Sequence, residues 1–302
     1  MSFTATTLSR LFRYRRSQMR LRRLVKGNER FSEIVRRMQL RTLGDDAGEP
    51  IVIPVSPVSL GLPLYEGAMP SQAPFAVVIG CSDARVPTEA IFDQSFNDLF
   101  VLRVAGNVLG AEGLGSIHYA MAHLGENLKA IVVLGHSKCG AVTASVDAYL
   151  SPEVYTDIAF TYALRSIVNQ IQIAVRSAAK ALEDRAGKPL TSIRESRSLL
   201  VAVSVYVNAA VSALALQQEI NQMGRKEPKV HFGVYDFQTV RVRCLPETGD
   251  NSSGLRPATT SGADLIAYAE EVADAFLKLD DAARDFNCML TMQLQLAASN
   301  DK

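Results

Sequence analysis

A chain of 302 residues has room for one large domain or two ordinary ones, and 48% hydrophobic with 21% charged residues is the composition of a folded protein with a sizeable core, not of a disordered one. The formal net charge of +1 hides an asymmetry, because residues 1–40 hold eleven Lys and Arg against only Glu29 and Glu33. Four cysteines, at 81, 139, 244 and 288, are too few and too scattered for a secreted disulfide framework and read as reduced thiols.

The basic opening could bind nucleic acid or an anionic membrane. Leu11, Phe12, Met19, Leu21 and Leu24 interrupt it at a spacing that favours an amphipathic helix instead, and no nucleic-acid partner is expected. A secretory signal is not expected either, since no short apolar core with a small-residue cleavage site follows the basic residues. The expected location is cytoplasmic; an organellar transit peptide is the alternative, because the first 25 residues lack acids and carry Arg, Ser and Thr.

Asp45 to Pro74 is dense in Pro and Gly and reads as an extended arm, closing an amino-terminal region of residues 1–74. Phe75–Ile79 and Ala130–Leu134 are apolar runs that end in Gly80-Cys81 and Gly135-His136, the pattern of buried parallel strands. Leu99–Val104 between them reads as a strand and Gly115–Leu124 as a helix. Helical spacing then runs through Ile158–Ala186 and Leu199–Met223. Leu199–Leu216 is apolar enough to raise the question of a membrane span, but Ser204, Asn208 and Ser212 recur every four residues, so a buried helix and no transmembrane segment is expected. Val230–Tyr235 and Val240–Leu245 around Asp236–Thr239 read as an edge hairpin, and Ala263–Ala297 as a last amphipathic helix after the Gly- and Ser-rich stretch Thr248–Gly262. The expectation is an α/β fold: a central, mostly parallel sheet with an antiparallel edge, flanked by helices, with an amino-terminal helical arm. Residues 75–247 would form its α/β body, with a helical insertion near 151–198, and residues 248–302 a linker and carboxyl-terminal helix of the same structural domain.

Ligands of open α/β sheets bind beyond the carboxyl ends of the strands, which is where Cys81 and His136 fall. His136 and Cys139 are three residues apart, so one turn can aim both at a single ion. With Cys81 they make a Cys2His set that suits zinc and leaves a fourth tetrahedral position for water, as catalytic sites do. Asp83 and Arg85 stand close enough to Cys81 to pair beside such an ion, Arg85 holding Asp83 ionised and oriented. Two thiolates already cancel the charge of Zn²⁺, so activity should rise with pH through an alkaline inflection.

Three stretches carry a family likeness: Cys81-Ser82-Asp83-Ala84-Arg85-Val86-Pro87, Phe100-Val101-Leu102-Arg103-Val104-Ala105-Gly106-Asn107, and Gly135-His136-Ser137-Lys138-Cys139-Gly140. In this order they resemble the signatures of β-class carbonic anhydrases over about Gln72 to Val146, and Val230–Leu245 resembles the family's late strand pair. The resemblance implies that Cys81, His136 and Cys139 bind Zn²⁺, that Asp83 and Arg85 form a catalytic dyad, and that Gln72 hydrogen-bonds bicarbonate. By the same analogy Val86, Phe100 and Tyr119 line the carbon dioxide pocket, and Asp83 is a fourth metal ligand in a closed state. The implied reaction is reversible hydration of carbon dioxide to bicarbonate and a proton by a zinc-bound hydroxide. The implied assembly is a homodimer or higher homo-oligomer, with the amino-terminal and carboxyl-terminal helices packed between subunits. Ser151–Ser198 is longer than the family's usual connection.

Other readings stay open. The same chemistry could hydrolyse COS or CS2; a non-catalytic zinc protein could sense bicarbonate or assist a transporter; a thiol redox protein would need Cys81 and Cys139, which lack a Cys-x-x-Cys spacing. Cys244 and Cys288 read as core filler, and His118, His123 and His231 as helix-face or strand histidines. The glycines at 106, 110, 113 and 115 do not have dinucleotide-loop spacing.

Overall fold

A computed structural model of the chain describes residues 5–42, 71–225, 227–246 and 254–279, with side chains of the first helix from 18 to 40. Most of the expected arm, Cys288 and the far part of the expected last helix lie outside the described residues. The helices are α1 (Ala5–Thr42), α2 (Thr88–Ile91), α3 (Ala111–His123), α4 (Gly140–Leu150), α5 (Tyr155–Ile158), α6 (Tyr162–Ala186), α7 (Ser196–Gln222) and α8 (Gly262–Lys278). The strands are β1 (Ala76–Gly80), β2 (Leu99–Arg103), β3 (Ala130–His136), β4 (Val230–Asp236), β5 (Arg241–Arg243) and β6 (Arg256–Pro257).

The strands form one sheet in the order β2-β1-β3-β4-β5, with β6 also on β4. β2, β1, β3 and β4 run parallel, and β5 and β6 pair antiparallel with β4 at the edge. Every residue of β1 and β3 is buried, which is why both read as unbroken apolar runs: a parallel strand covered on both faces has no polar side. Alternate residues enter different layers. Val77, Ile79, Ile131 and Val133 meet the helical layer of α6, α7 and α8, while Ala76, Val78, Ala130, Val132 and Leu134 meet the side covered by α1.

α7 lies directly on β3 and β4, with α6 and α8 packed against it. Its apolar residues are buried nearly all round, and this burial in the fold accounts for a helix long and apolar enough to cross a membrane. α6 buries Val168, Ile171, Val175, Ala178 and Leu182, a stripe at helical spacing, so the 151–198 segment is part of the main core. Thr161 caps α6 by accepting the Leu164 N–H at 3.2 Å. Ser261 does the same for α8, where the Asp264 carboxylate also accepts the Thr260 N–H, a reciprocal cap.

On the opposite face α1 inserts Leu21 and Leu24 beside Phe75, Ile91 and Phe92. It approaches so closely that a Cβ on Gly27 would come within 1.7 Å of the Phe92 carbonyl oxygen, so only glycine fits there. Asn28 then clasps the sheet edge: its amide donates to the Ile91 and Val240 carbonyls and its oxygen accepts the Val242 N–H at 2.7 Å. The described part of α1 thus buries Leu21 and Leu24 on its own chain, while Met19 and Met38 remain exposed. The β4–β5 turn is built by Asp236, whose Oδ1 accepts the Gln238 and Thr239 N–H groups. Val240 follows in a left-handed conformation, and the edge strand is accordingly shorter than its apolar run, starting at Arg241.

Candidate metal centre

β1 and β3 are neighbours in register, Gly80 opposite Leu134, so the residues just past their carboxyl ends emerge side by side. Cys81 leaves β1 and His136 ends β3. The chain then reverses through Lys138, held at φ 54°, a left-handed conformation that costs a lysine about 1–2 kcal/mol. The reversal returns Cys139 to His136 and seats it as the residue that opens α4. Cys81 Sγ, Cys139 Sγ and a ring nitrogen of His136 lie within 4.8 Å of one another, and all three residues are buried.

The donor chemistry fits a metal ion. His136 Nδ1 lies 3.0 Å from the Ser137 carbonyl, which can only accept; the proton is therefore on Nδ1, and Nε2 presents a lone pair. Nε2 is buried and has no hydrogen-bond partner among the described residues. The two sulfurs act as a pair. The Cys139 thiol donates to Cys81, which brings the Cys81 pKa down and, together with burial, pushes that of Cys139 up. A divalent cation against both sulfurs would displace the remaining proton. Cys139 also stands at the amino end of α4, where free N–H groups favour a thiolate, and Cys81 Sγ accepts the Gly106 N–H at 3.3 Å.

Asp83 and Arg85 are paired beside the centre. Arg85 Nε donates to Asp83 Oδ1 at 3.0 Å and Nη2 to Oδ2 at 2.7 Å, and the Arg85 backbone N–H adds a third bond at 2.9 Å. The guanidinium first, and that backbone N–H after it, hold the carboxyl well below the usual carboxylate range. Asp83 Oδ2 is 3.9 Å from His136 Nε2.

Two contributors escaped the sequence reading. Arg103, at the end of β2, donates from Nε to the Cys81 carbonyl at 2.9 Å and from Nη2 to the Asp83 carbonyl, fixing the Cys81–Arg85 loop. Phe237, just after β4, lies 4.3 Å under the Arg85 guanidinium and 5.2 Å from the His136 ring. Its N–H donates to Ser137 Oγ, while the Ser137 N–H donates to Tyr235, so β4 is tied to the ligand loop. Arg103 stood within a quoted motif, but nothing in its spacing told of two carbonyls; Phe237 carried no signal.

The remaining expected residues are more spread out. Val86 is fully buried, in the α1-side core. Phe100 is half-buried on β2 against the helical-layer core. Tyr119 is 52% exposed on α3, stacked on His123 at 4.4 Å, and Gln72 is exposed in the irregular segment ahead of β1. His118 Nε2 lies 3.2 Å from Glu219 Oε1 and His231 is buried in β4, neither of them part of the cluster.

The carbonic anhydrase family model matches residues 76–242, more than half of the 302-residue chain. Carbonic anhydrase 2 of Mycobacterium tuberculosis is 51% identical over 82 residues, 27% of this chain and 39% of that protein. The carbonic anhydrase of Mycolicibacterium smegmatis is 42% identical over 111 residues, 37% of this chain and 50% of that one. The chain thus spans half or less of the length of these curated relatives. Among solved structures, a tetrameric β-carbonic anhydrase of Sordaria macrospora is 26% identical with a TM-score of 0.41, covering 57% of this chain and 81% of its own. The family match over residues 76–242 contains all three motifs and the whole Cys81, His136, Cys139 cluster: the chain belongs to the β-class carbonic anhydrase family.

Proposed function

We propose that this chain catalyses the reversible hydration of carbon dioxide to bicarbonate and a proton, with zinc held by Cys81, His136 and Cys139. The observation that carries this reading is the buried, convergent donor set with its unpartnered His136 Nε2, beside a carboxylate locked in the ionised state. Held by these three residues, zinc would supply the Lewis acidity that makes water a nucleophile near neutral pH. The chain's own residues supply the rest. Asp83, kept ionised by Arg85, accepts a hydrogen bond and cannot donate one, so it selects and orients a protonated oxygen in the site. Arg103 and Phe237 hold the loop and the guanidinium in place for that role. Val86 and Phe100 are the proposed apolar contacts for carbon dioxide, with Tyr119 and Gln72 as further substrate contacts. A homodimer is the proposed minimal assembly, to be checked by light scattering.

The test is zinc content per chain together with stopped-flow carbon dioxide hydration at about pH 8.5. One zinc per chain with rapid hydration is the expected result; zinc without hydration would overturn the activity and bring COS or CS2 hydrolysis and bicarbonate sensing forward. Asp83→Asn is expected to keep its zinc and lose about 10²- to 10⁴-fold in turnover. Wild-type turnover in that variant would remove Asp83 from the mechanism.

A further inference from the structure

Asn208 belongs to the polar stripe of α7, far in sequence from the three motifs, and is 1% exposed. Its Nδ2 donates to the Gly106 carbonyl at 2.8 Å. The N–H of the same glycine donates to Cys81 Sγ at 3.3 Å. Both peptide planes that meet at Gly106 are thus pinned, one by a side chain of the helical layer and the other by a proposed metal ligand. Gly106 needs holding: it sits at φ 67°, ψ 17°, in a left-handed turn directly after β2, followed by Asn107 at φ 48°. Ile171 and Ala141 press on it so closely that a Cβ would lie 2.7 Å from Ile171 Cδ1 and 3.1 Å from Ala141 Cβ. Those contacts are apolar and oppose translation toward the helices. They do not set the orientation of a peptide group, whereas the hydrogen bond from Asn208 fixes the Gly106 carbonyl and, with it, the rotation of the turn that carries the N–H.

We infer that Asn208 is a positioning residue for the metal centre: it holds the Gly106 turn so that the Gly106 N–H stays aimed at the Cys81 sulfur. The inference rests on the metal-centre reading above. An N–H on a thiolate withdraws charge from the sulfur, and in a site with two thiolates that withdrawal leaves more positive charge on the ion. Satisfying the buried Gly106 carbonyl is a purely structural role that Asn208 could fill without any link to the metal. The two roles differ in what a spectroscopic probe at the sulfur reads.

The experiment compares the full-length wild type with Asn208→Leu, which keeps the branched skeleton and loses the donor, and with the milder Asn208→Ser. Ser212→Ala, one turn along the same stripe, is the control. Protein loaded with ¹¹³Cd is examined by NMR for scalar coupling between the metal and the Gly106 amide proton, and cobalt-loaded protein for its thiolate-to-metal charge-transfer band. Zinc affinity is measured by chelator competition, and near-UV circular dichroism establishes that each variant is folded. In Asn208→Leu the coupling should weaken, the cobalt band should move to longer wavelength, and zinc affinity should fall about 10- to 100-fold. Asn208→Ser should change in the same directions by less, and Ser212→Ala should match wild type in all three. If Asn208→Leu does not fold, Asn208→Ser carries the test alone. A folded Asn208 variant with wild-type coupling and cobalt spectrum would overturn the inference, leaving Asn208 to satisfy a carbonyl and the metal-centre reading intact. A wild type that takes up none of these metals would overturn the metal centre and this inference with it.

Discussion

On one face of the sheet α6, α7 and α8 stack into a continuous helical layer, whose core takes in Cys81, Cys139 and the turn at Gly106. On the other, α1 lies as a single long helix, seated by Leu21 and Leu24, a glycine that admits no Cβ, and the polar clasp of Asn28 and Ser32 on Val240 and Val242. The core of the first face takes in Cys81 and Cys139; on the second, α1 is clasped to the edge strand, and Phe237, packed against that side's core, reaches the His136 ring at 5.2 Å. Stability and chemistry are therefore coupled directly at the two cysteines on the helical-layer face, and only through Phe237 on the α1 face, where α1 itself is seated on the edge strand.

The sharpest way to sharpen that contrast is to remove a ligand. Cys139→Ser should weaken metal binding by more than the roughly 100-fold typical of changes around a ligand, while far-UV circular dichroism stays native. A variant that purifies unfolded would show that the ion, not the helical layer, holds this face together. Next come paired cavities. Leu182→Ala in α6 and Leu24→Ala in α1 both remove fully buried side chains, and each should cost about 2–5 kcal/mol in denaturant unfolding. Only Leu182→Ala should also lower metal affinity; hydrogen exchange in Leu24→Ala should rise along α1 alone, and an equal loss of metal affinity in both would break the comparison. Asn28→Ala strips the clasp and leaves buried edge groups unsatisfied, a cost of about 1–3 kcal/mol with unchanged metal binding. The smallest effect concerns His231, buried in β4, whose pKa burial lowers from 6.5. A folded pKa below the unfolded one means that the unfolded chain binds the proton more readily. Its contribution is thus complete above about pH 6.5 and is lost as pH falls from there toward the folded pKa. His231→Gln should flatten that part of the stability profile; an unchanged slope would assign it to other groups.

Much of this architecture was legible in advance, for identifiable reasons. Strands buried on both faces leave unbroken apolar runs, and a glycine followed by Cys81 or His136 marks where two of them end. The His136–Cys139 spacing told of the cluster because a single reversed turn spans it. α4 was not legible: it begins directly at a ligand, and its short stretch Gly140–Leu150 mixes buried Val142, Ser145 and Val146 with weak polarity contrast. Asn208 left a signal, the polar stripe, which pointed to burial without telling what the amide would bind. Phe237 and Arg103 act through contacts made only once β4 and β2 lie beside the ligand loops, and no local pattern records those.

α7 has a consequence for how the protein is made. Synthesis proceeds from the amino terminus, so α7 is complete before β4 and α8, two of the elements that cover it, have been added. At roughly 5–20 residues per second, a segment with the apolarity of a membrane span waits on the order of several seconds for the strand and helix that enclose it. Through that interval the nascent chain displays a ready target for chaperones and for the membrane-insertion machinery, and only completion of the carboxyl-terminal part of the fold withdraws it.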